Sequence, residues 1–390
     1  LTVLFDLDDT LLNTNVETFF PAYMRALAKA LPGEPSTDKF RRQLFYAESK
    51  MVTNPDPGKM LSQVFSENFY HSLGTTEEAC RPILHRFYSE LHPTLHNLTQ
   101  PKEGARELID WCQAHGMTLA VATNPVFPDI ATRQRIQWAG LDPEEFAFYT
   151  TYNNSHFAKP SLAYYAEILG RLGWPDAPVV MIGDDLNLDL LPTEKMGFST
   201  FWINSNGHQN HRPKGNLFDA KKFLQKCMAN REFHISNDPE VLIAILRSTP
   251  AVIDTWFTQF PTDALNNKPD KKDQPFVDVL WQMARIEQEI YLPQWEQLSL
   301  DPKQTLILPD LKNWAKDRER PDHNPEKAFD IFVSFRQKSL ELIEDLLDKA
   351  YVDQQAAKST HSETAFEQLL DIVAKSDRTF LRECANILGI

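Results

Sequence analysis

The sequence predicts an α/β fold: a Rossmann-like parallel sheet carrying an inserted helical segment, followed by an all-α four-helix bundle. Three observations lead there. Short, nearly continuous apolar runs at residues 2–5, 117–122, 179–182 and 200–203 alternate with helical patterns, the rhythm of parallel strands covered on both faces. The first three runs end in polar residues, and ligands of open parallel sheets bind beyond the carboxyl ends of the strands. From residue 239 onward only long helical patterns remain, at 239–260, 277–292, 325–350 and 364–387, separated by Pro- and Asp-rich loops.

The first apolar run stops abruptly at Asp6-Leu7-Asp8-Asp9-Thr10. Adjacent carboxylates repel one another, and a divalent cation is the usual remedy. Asp6 and Asp8 stand at i and i+2, so an extended backbone points them to one side, as a nucleophile and an acid/base facing one substrate require. The insertion follows at residues 15–100. Val16, Phe19, Phe20, Tyr23, Met24, Leu27 and Leu31 recur at helical spacing, as do Leu61, Val64, Phe65 and Phe69. This segment is placed to cover the site from above. The sheet domain then comprises residues 1–14 and 101–235, and the helical domain residues 236–390. The boundary falls at Asn230-Arg231 or at Ser236-Asn237-Asp238-Pro239.

Bulk properties narrow the function. With 390 residues the chain accommodates two ordinary domains. A net charge of −14 disfavours binding to nucleic-acid phosphates. The four cysteines, Cys80, Cys112, Cys227 and Cys384, form no C-x-x-C pair, so neither a zinc site nor a disulfide framework is expected. No stretch is expected to approach the ~20 apolar residues of a membrane span. A cytoplasmic protein without a membrane association is the expectation.

Three further pieces join the acidic strand end. Leu119-Ala120-Val121-Ala122-Thr123-Asn124 ends a strand in a hydroxyl and an amide, and Phe157-Ala158-Lys159-Pro160 offers a lysine. A third strand and glycine run into acids at Gly183-Asp184-Asp185-Leu186-Asn187-Leu188-Asp189. In this order the four pieces resemble the motifs of the haloacid dehalogenase superfamily of aspartyl phosphatases over residues 1–230, with the insertion at that family's first cap position. The resemblance implies a Mg²⁺-dependent phosphatase acting on a small phosphorylated metabolite. Asp6 would attack phosphorus and Asp8 would shuttle the proton. Thr123, Asn124 and Lys159 would bind the phosphoryl group. Asp6, Asp184 and the main-chain carbonyl of Asp8 would hold the metal, with Asp189 and Asp185 behind them. Thr10 would orient the motif by local hydrogen bonds, and Asp9 would be structural. The presence of Asp8 speaks against the metal-free dehalogenases of the superfamily.

A phosphomutase would use the same core residues, and an idle binding or scaffold protein should have lost at least one of them. The segment 183–204 is similar to that of pyrimidine nucleotidases, leaving nucleotide and sugar phosphates both open. Arg41, Arg42, Lys50 and Lys59 of the insertion either meet the substrate or form a solvated face. Residues 239–390 resemble the DinB-like four-helix bundles at 242–246, Thr249-Pro250, 330–336 and 361–370. Typical members bind a divalent metal through three histidines. This chain has Gln282, Ser376 and Phe380 there, and neither His323 nor His361 sits in a ligand-spaced pair. This departure from the family points to a degenerate, metal-free bundle, with homodimerisation, substrate access and partner binding all open as its role.

Overall fold

The computed structural model describes the chain except residues 32, 34, 204–210, 230–232, 267–273, 312–313, 315–323 and 357–363. The boundary candidate Asn230-Arg231 and both His323 and His361 lie outside the described residues. The chain divides into two compact units. One is Leu1–Tyr165 with Pro175–Ile235; the other is Ala166–Trp174 with Ser236–Ile390.

The strands of the first unit are β1 (Thr2–Phe5), β2 (Leu12–Thr14), β3 (Thr99–Pro101), β4 (Thr118–Val121), β5 (Phe148–Tyr149), β6 (Val179–Gly183), β7 (Ser199–Ile203) and β8 (Lys214–Gly215). Six of them form a parallel sheet in the order β5-β4-β1-β6-β7-β8. The order reverses at β1, whose neighbours β4 and β6 come from opposite directions along the sheet. That is the switch point at which such sheets open a crevice at their carboxyl ends. All four residues of β1 are buried, as expected of a strand covered on both faces. The expected strands 117–122, 179–182 and 200–203 are observed with ends shifted by a residue. The two-residue strands β5 and β8 carry too little apolar pattern to be read in advance.

Between β2 and β3, which pair antiparallel, lie the inserted helices α1 (Val16–Ala30), α2 (Thr37–Val52), α3 (Leu61–Phe69) and α4 (Glu77–Arg86). Their starts follow capping chemistry: Asn15 Oδ1 accepts from Thr18 N, and Thr76 Oγ1 from Ala79 N. Phe19, Tyr23, Phe40, Phe69, Phe87 and Tyr88 form their core. The remaining helices of this unit are α5 (Ala105–Ala114), α6 (Asp129–Trp138), α7 (Leu162–Arg171, shared with the second unit), α8 (Leu191–Lys195) and α9 (Leu217–Ala229). A second apolar cluster, including Val3, Phe5, Leu108, Ile109, Val180 and Leu224, joins the sheet to α5 and α9.

His92 is embedded in the aromatic core, stacked on Trp138 at 4.8 Å between ring centroids. Gln134 Nε2 donates to the Tyr88 carbonyl at 2.8 Å, which turns Gln134 Oε1 toward His92 Nδ1 at 2.6 Å. Nδ1 therefore carries the proton, and Nε2 is buried with no hydrogen-bond partner among the described residues. Burial lowers the imidazole pKa to about 4, opposed by the Gln134 hydrogen bond and reinforced by Arg135. Because the folded value lies below the unfolded one, the stability is intact above about pH 6.5 and is lost as pH falls toward about 4. The unfolding free energy should drop by about 2 kcal/mol between about pH 7.5 and about pH 5. Urea unfolding of wild type and His92→Phe checks this; an identical pH response in the two proteins refutes it.

The second unit is built on the helices Pro239–Gln259, Phe276–Ile286 continuing through Leu292–Leu300, Pro325–Ala356 and Ala365–Leu388. The expectation that no segment approaches a membrane span needs correction. Pro239–Gln259 is long and apolar enough by composition, but 78% of its most apolar window is buried, as in a core helix. Inside it, Pro250 has no N–H to give the Leu246 carbonyl one turn back. Arg336 Nη1 donates to that carbonyl instead, at 3.1 Å. The guanidinium also pairs with Asp377 and, at 2.7 Å, with Glu287, all three side chains being buried. Ser339 Oγ completes Glu287 and Thr249 Oγ1 completes Asp377. The Gln282 position, where the resemblance places a histidine, instead bonds Gln274 at 2.7 Å.

Candidate active site

The pairing of β1 decides what meets at its end. Phe5 is level with Val121 of β4 and Ile182 of β6, and the ladder runs one step further through Ala122 N to Phe5 O and Asp6 N to Ile182 O. Asp6 thus stands level with Ala122 and Gly183, and the residues just beyond are Thr123 and Asp184. Three motifs far apart in the sequence arrive at one place because parallel strands all end on the same side.

Lys159 enters from the loop before α7. It is 2% exposed, with Nζ 2.7 Å from Asp6 Oδ1 and 2.5 Å from Asp189 Oδ1. So buried a lysine is not a solvated surface residue. Asp189 is itself held: Asp185 N donates to its Oδ2 at 3.1 Å and Thr193 Oγ1 to its carbonyl at 2.5 Å. Gly183 makes the space, since a Cβ there would sit 2.6 Å from the Cβ and Cγ of Asp189. The Asp185 carboxylate caps the next turn through Asn187 N and Leu188 N. Of the two acids expected behind the metal ligands, only Asp189 stands in the cluster. Asp185 touches that cluster through its backbone N–H, and its carboxylate caps the turn.

Ligand oxygens of Asp6, Asp184 and Asp189 all lie within 4.8 Å of one another. Three carboxylates share one lysine, and the cost appears in the acidities of Asp6 and Asp184. Burial raises the Asp6 pKa, opposed by Lys159 and reinforced by Asp189, Asp184 and Asp8. Asp184 is pushed up to about 7, by burial first and then by Asp189 and Asp9. A hard divalent cation suits such an all-oxygen set and relieves its repulsion, so the residues fit the expected metal.

Asp8 faces elsewhere. Its Oδ1 accepts from Thr14 Oγ1 at 2.6 Å and from Arg135 Nη2. Its carboxylate is not one of the three that cluster at the strand ends. Asp9 has φ 56° and uses Oδ1 to accept from Thr14 N at 3.0 Å, a structural role that closes the turn after β1. Thr10 differs from expectation. Its hydroxyl makes a long-range contact, 3.4 Å to Asp184 Oδ1, instead of a local one.

The Thr123 carbonyl is pinned by the hydroxyls of Thr150 at 2.6 Å and Tyr164 at 2.7 Å. Asn124 Oδ1 is buried with no hydrogen-bond partner among the described residues. Of the insertion's cations, Arg41 pairs with Asp38, Lys59 pairs with Glu67, and Lys50 lies over the Tyr46 ring, while Arg42 is also exposed. All four form a solvated face. Sequence reasoning did not single out Arg135, Thr14 and Tyr164. The legible signal for Arg135 was its phase: it shares the buried face of α6 with Ala131, Thr132 and Ile136.

The family model of haloacid dehalogenase-like hydrolases matches residues 1–197, half of the chain. The chain belongs to this family. A relative of this hydrolase, the pyrophosphatase PpaX of Halalkalibacterium halodurans, is 26% identical over 210 residues, 51% of this chain and 81% of the relative. Among solved structures, a HAD phosphatase from Thermococcus onnurineus is 20% identical with a TM-score of 0.39, over 57% of this chain and 97% of its own. A 2-haloacid dehalogenase from Pseudomonas syringae pv. Tomato DC3000 is 22% identical with a TM-score of 0.41, over 58% and 98%.

Proposed function

We propose that this hydrolase is a Mg²⁺-dependent phosphatase that cleaves a small phosphomonoester through an aspartyl-phosphate at Asp6. The observation that carries the reading is the Asp6 carboxylate, held at 2.7 Å by buried Lys159 beside Asp184 and Asp189 at the switch point of the sheet. A nucleophilic carboxylate splits one hard displacement into two easier ones. Lys159 opposes protonation of Asp6 and offers positive charge to the transferring oxygens. The Thr123 hydroxyl and the Asn124 amide hydrogen-bond the phosphoryl group. Asp8 protonates the leaving oxygen and then takes the proton of the attacking water. Asp6, Asp184 and the Asp8 carbonyl would hold Mg²⁺, with Asp189 behind them, and the ion would supply charge neutralisation between anionic nucleophile and anionic phosphate.

Helices α1–α4 act as the cap over this site, restricting it to small metabolites such as nucleotide or sugar phosphates. The likeness to a protein named a pyrophosphatase adds phosphoanhydrides to the panel worth screening. The C-terminal unit serves as a DinB-like bundle and a homodimer surface, for which exposed Leu300 offers apolar area. The free cysteines, three of them buried, suit a reducing compartment such as the cytoplasm.

The test is phosphate release from a panel of phosphorylated metabolites with Mg²⁺, beside Asp6→Asn and beside EDTA. Wild type should release phosphate from at least one member. Asp6→Asn should lose about 10³-fold or more, and EDTA should stop the reaction until Mg²⁺ is returned. Equal release by wild type and Asp6→Asn rules out the mechanism.

A further inference from the structure

Arg135 lies outside all four motifs, yet it is 2% exposed and its Nη2 donates to Asp8 Oδ1. The guanidinium carbon is 5.1 Å from the ring centre of Phe19, on the inserted helix α1, and 4.8 Å from that of Phe127, in the segment after β4. An arginine clamped by two rings is held in one orientation, which a flexible lysine would not be. Thr14 Oγ1 donates to the same Oδ1 at 2.6 Å. Among the described residues no hydrogen bond reaches Oδ2.

Two donors on one carboxyl oxygen decide where a proton can sit. A proton on Oδ1 would be a third hydrogen directed at that oxygen, against two that are already there. Oδ2 is the oxygen left for it.

From this geometry we infer that Arg135 is a positioning residue for Asp8, which with Thr14 occupies Oδ1 and assigns the transferred proton to Oδ2. The inference rests on the acid/base role proposed for Asp8. In the first step the Oδ2–H bond breaks as a bond forms between that proton and the leaving oxygen. As the Asp6 oxygen bonds to phosphorus, the electron pair of the breaking phosphorus–oxygen bond leaves with the product alcohol, and Asp8 becomes a carboxylate. In the second step Oδ2 takes a proton from water while the water oxygen bonds to phosphorus and the bond from phosphorus to the Asp6 oxygen breaks; that electron pair returns to Asp6 as its carboxylate, phosphate leaves, and Asp8 is again the acid. Arg135 and Thr14 stay in place on Oδ1 throughout.

The consequence depends on the leaving group. Phenolate is a strong base and needs the proton, whereas 4-nitrophenolate departs without it. The full chain with Mg²⁺ is assayed on phenyl phosphate and 4-nitrophenyl phosphate, comparing wild type with Arg135→Met, Arg135→Lys and Thr14→Val. In Arg135→Met, kcat on phenyl phosphate should fall about 10²-fold, with the 4-nitrophenyl ester reduced less than about fivefold and KM changed little on either. Thr14→Val should shift the same ratio by less, and Arg135→Lys should restore part of it. The ratio is taken within one preparation, so incomplete folding of a variant cancels. A ratio unchanged from wild type in all three variants overturns the inference, because a merely structural arginine would slow both esters equally. If that occurs while release still depends on Asp6, the phosphatase reading survives. A wild type inactive on both esters overturns the two together.

Discussion

Replacing Lys159 with Met should lower phosphate release by about 10³-fold or more and unfold the metal-free protein about 3–5 kcal/mol more readily. The size follows from the number of charges that Lys159 serves. Its Nζ is within 2.7 Å of both Asp6 and Asp189, and all three side chains are buried. Without it, three neighbouring carboxylates have no internal cation. Breaking a buried pair by removing one partner leaves an uncompensated charge, and that cost exceeds whatever the intact pair contributes. The carboxyls would respond by taking up protons, Asp6 first among them, since its pKa is already raised by burial and by the other acids. A protonated Asp6 is no nucleophile. The variant should also gain more stability from added Mg²⁺ than wild type does, since a cation binding only the folded state stabilises it in proportion to its affinity there. Thermal unfolding with EDTA and with Mg²⁺, beside the release assay, provides both numbers. A variant as stable as wild type in EDTA would mean that Lys159 carries no such charge balance.

The second large effect lies in the helical unit. Arg336→Met should destabilise the protein by about 3–5 kcal/mol near neutral pH. Arg336 balances two buried acids, Glu287 at 2.7 Å and Asp377, and satisfies the carbonyl that Pro250 leaves open. Burial raises the Asp377 pKa even with the arginine present. In the variant the folded value rises further above the unfolded one, so the penalty is full above the folded pKa and disappears as pH falls below about 4. Chemical unfolding at about pH 7 and about pH 4 should therefore show the two proteins converging in acid. Adding Glu287→Gln and Asp377→Asn should recover most of the loss at neutral pH, because a neutral interior avoids the desolvation of charge. If the triple variant is as unstable as Arg336→Met, the destabilisation comes from lost packing and not from unpaired acids.

The sheet domain was legible because its signals are local. A buried strand announces itself by an apolar run of four or five residues, and β1, β4, β6 and β7 each have one. Asp6, Asp8, Thr123 and Asp184 could be placed at the strand ends because they directly follow those runs, whereas Lys159 comes from the loop before α7. Helix α1 was readable from the spacing of Phe19, Tyr23 and Leu27, which all enter its core. The short strands β5 and β8 were not, since two residues hold no period, and their pairing is decided by the neighbouring strand.

What the sequence determined by itself was therefore the order of the pieces and the chemical types at each strand end. The tertiary structure alone decided how those groups are paired. Position in the motif favoured Asp189 over Asp185 behind the metal ligands, but only folding puts one beside Lys159 in the cluster while the other caps a turn. Nothing near Asp8 indicates Arg135, which lies 127 residues away. Nor does the sequence around Arg336 reveal that two acids and the carbonyl opened by Pro250 converge on it. Strand and helix periods are set by backbone geometry that each segment carries with it. Charge pairing inside a protein depends on which side chains folding removes from water together, and that is fixed only when distant segments meet.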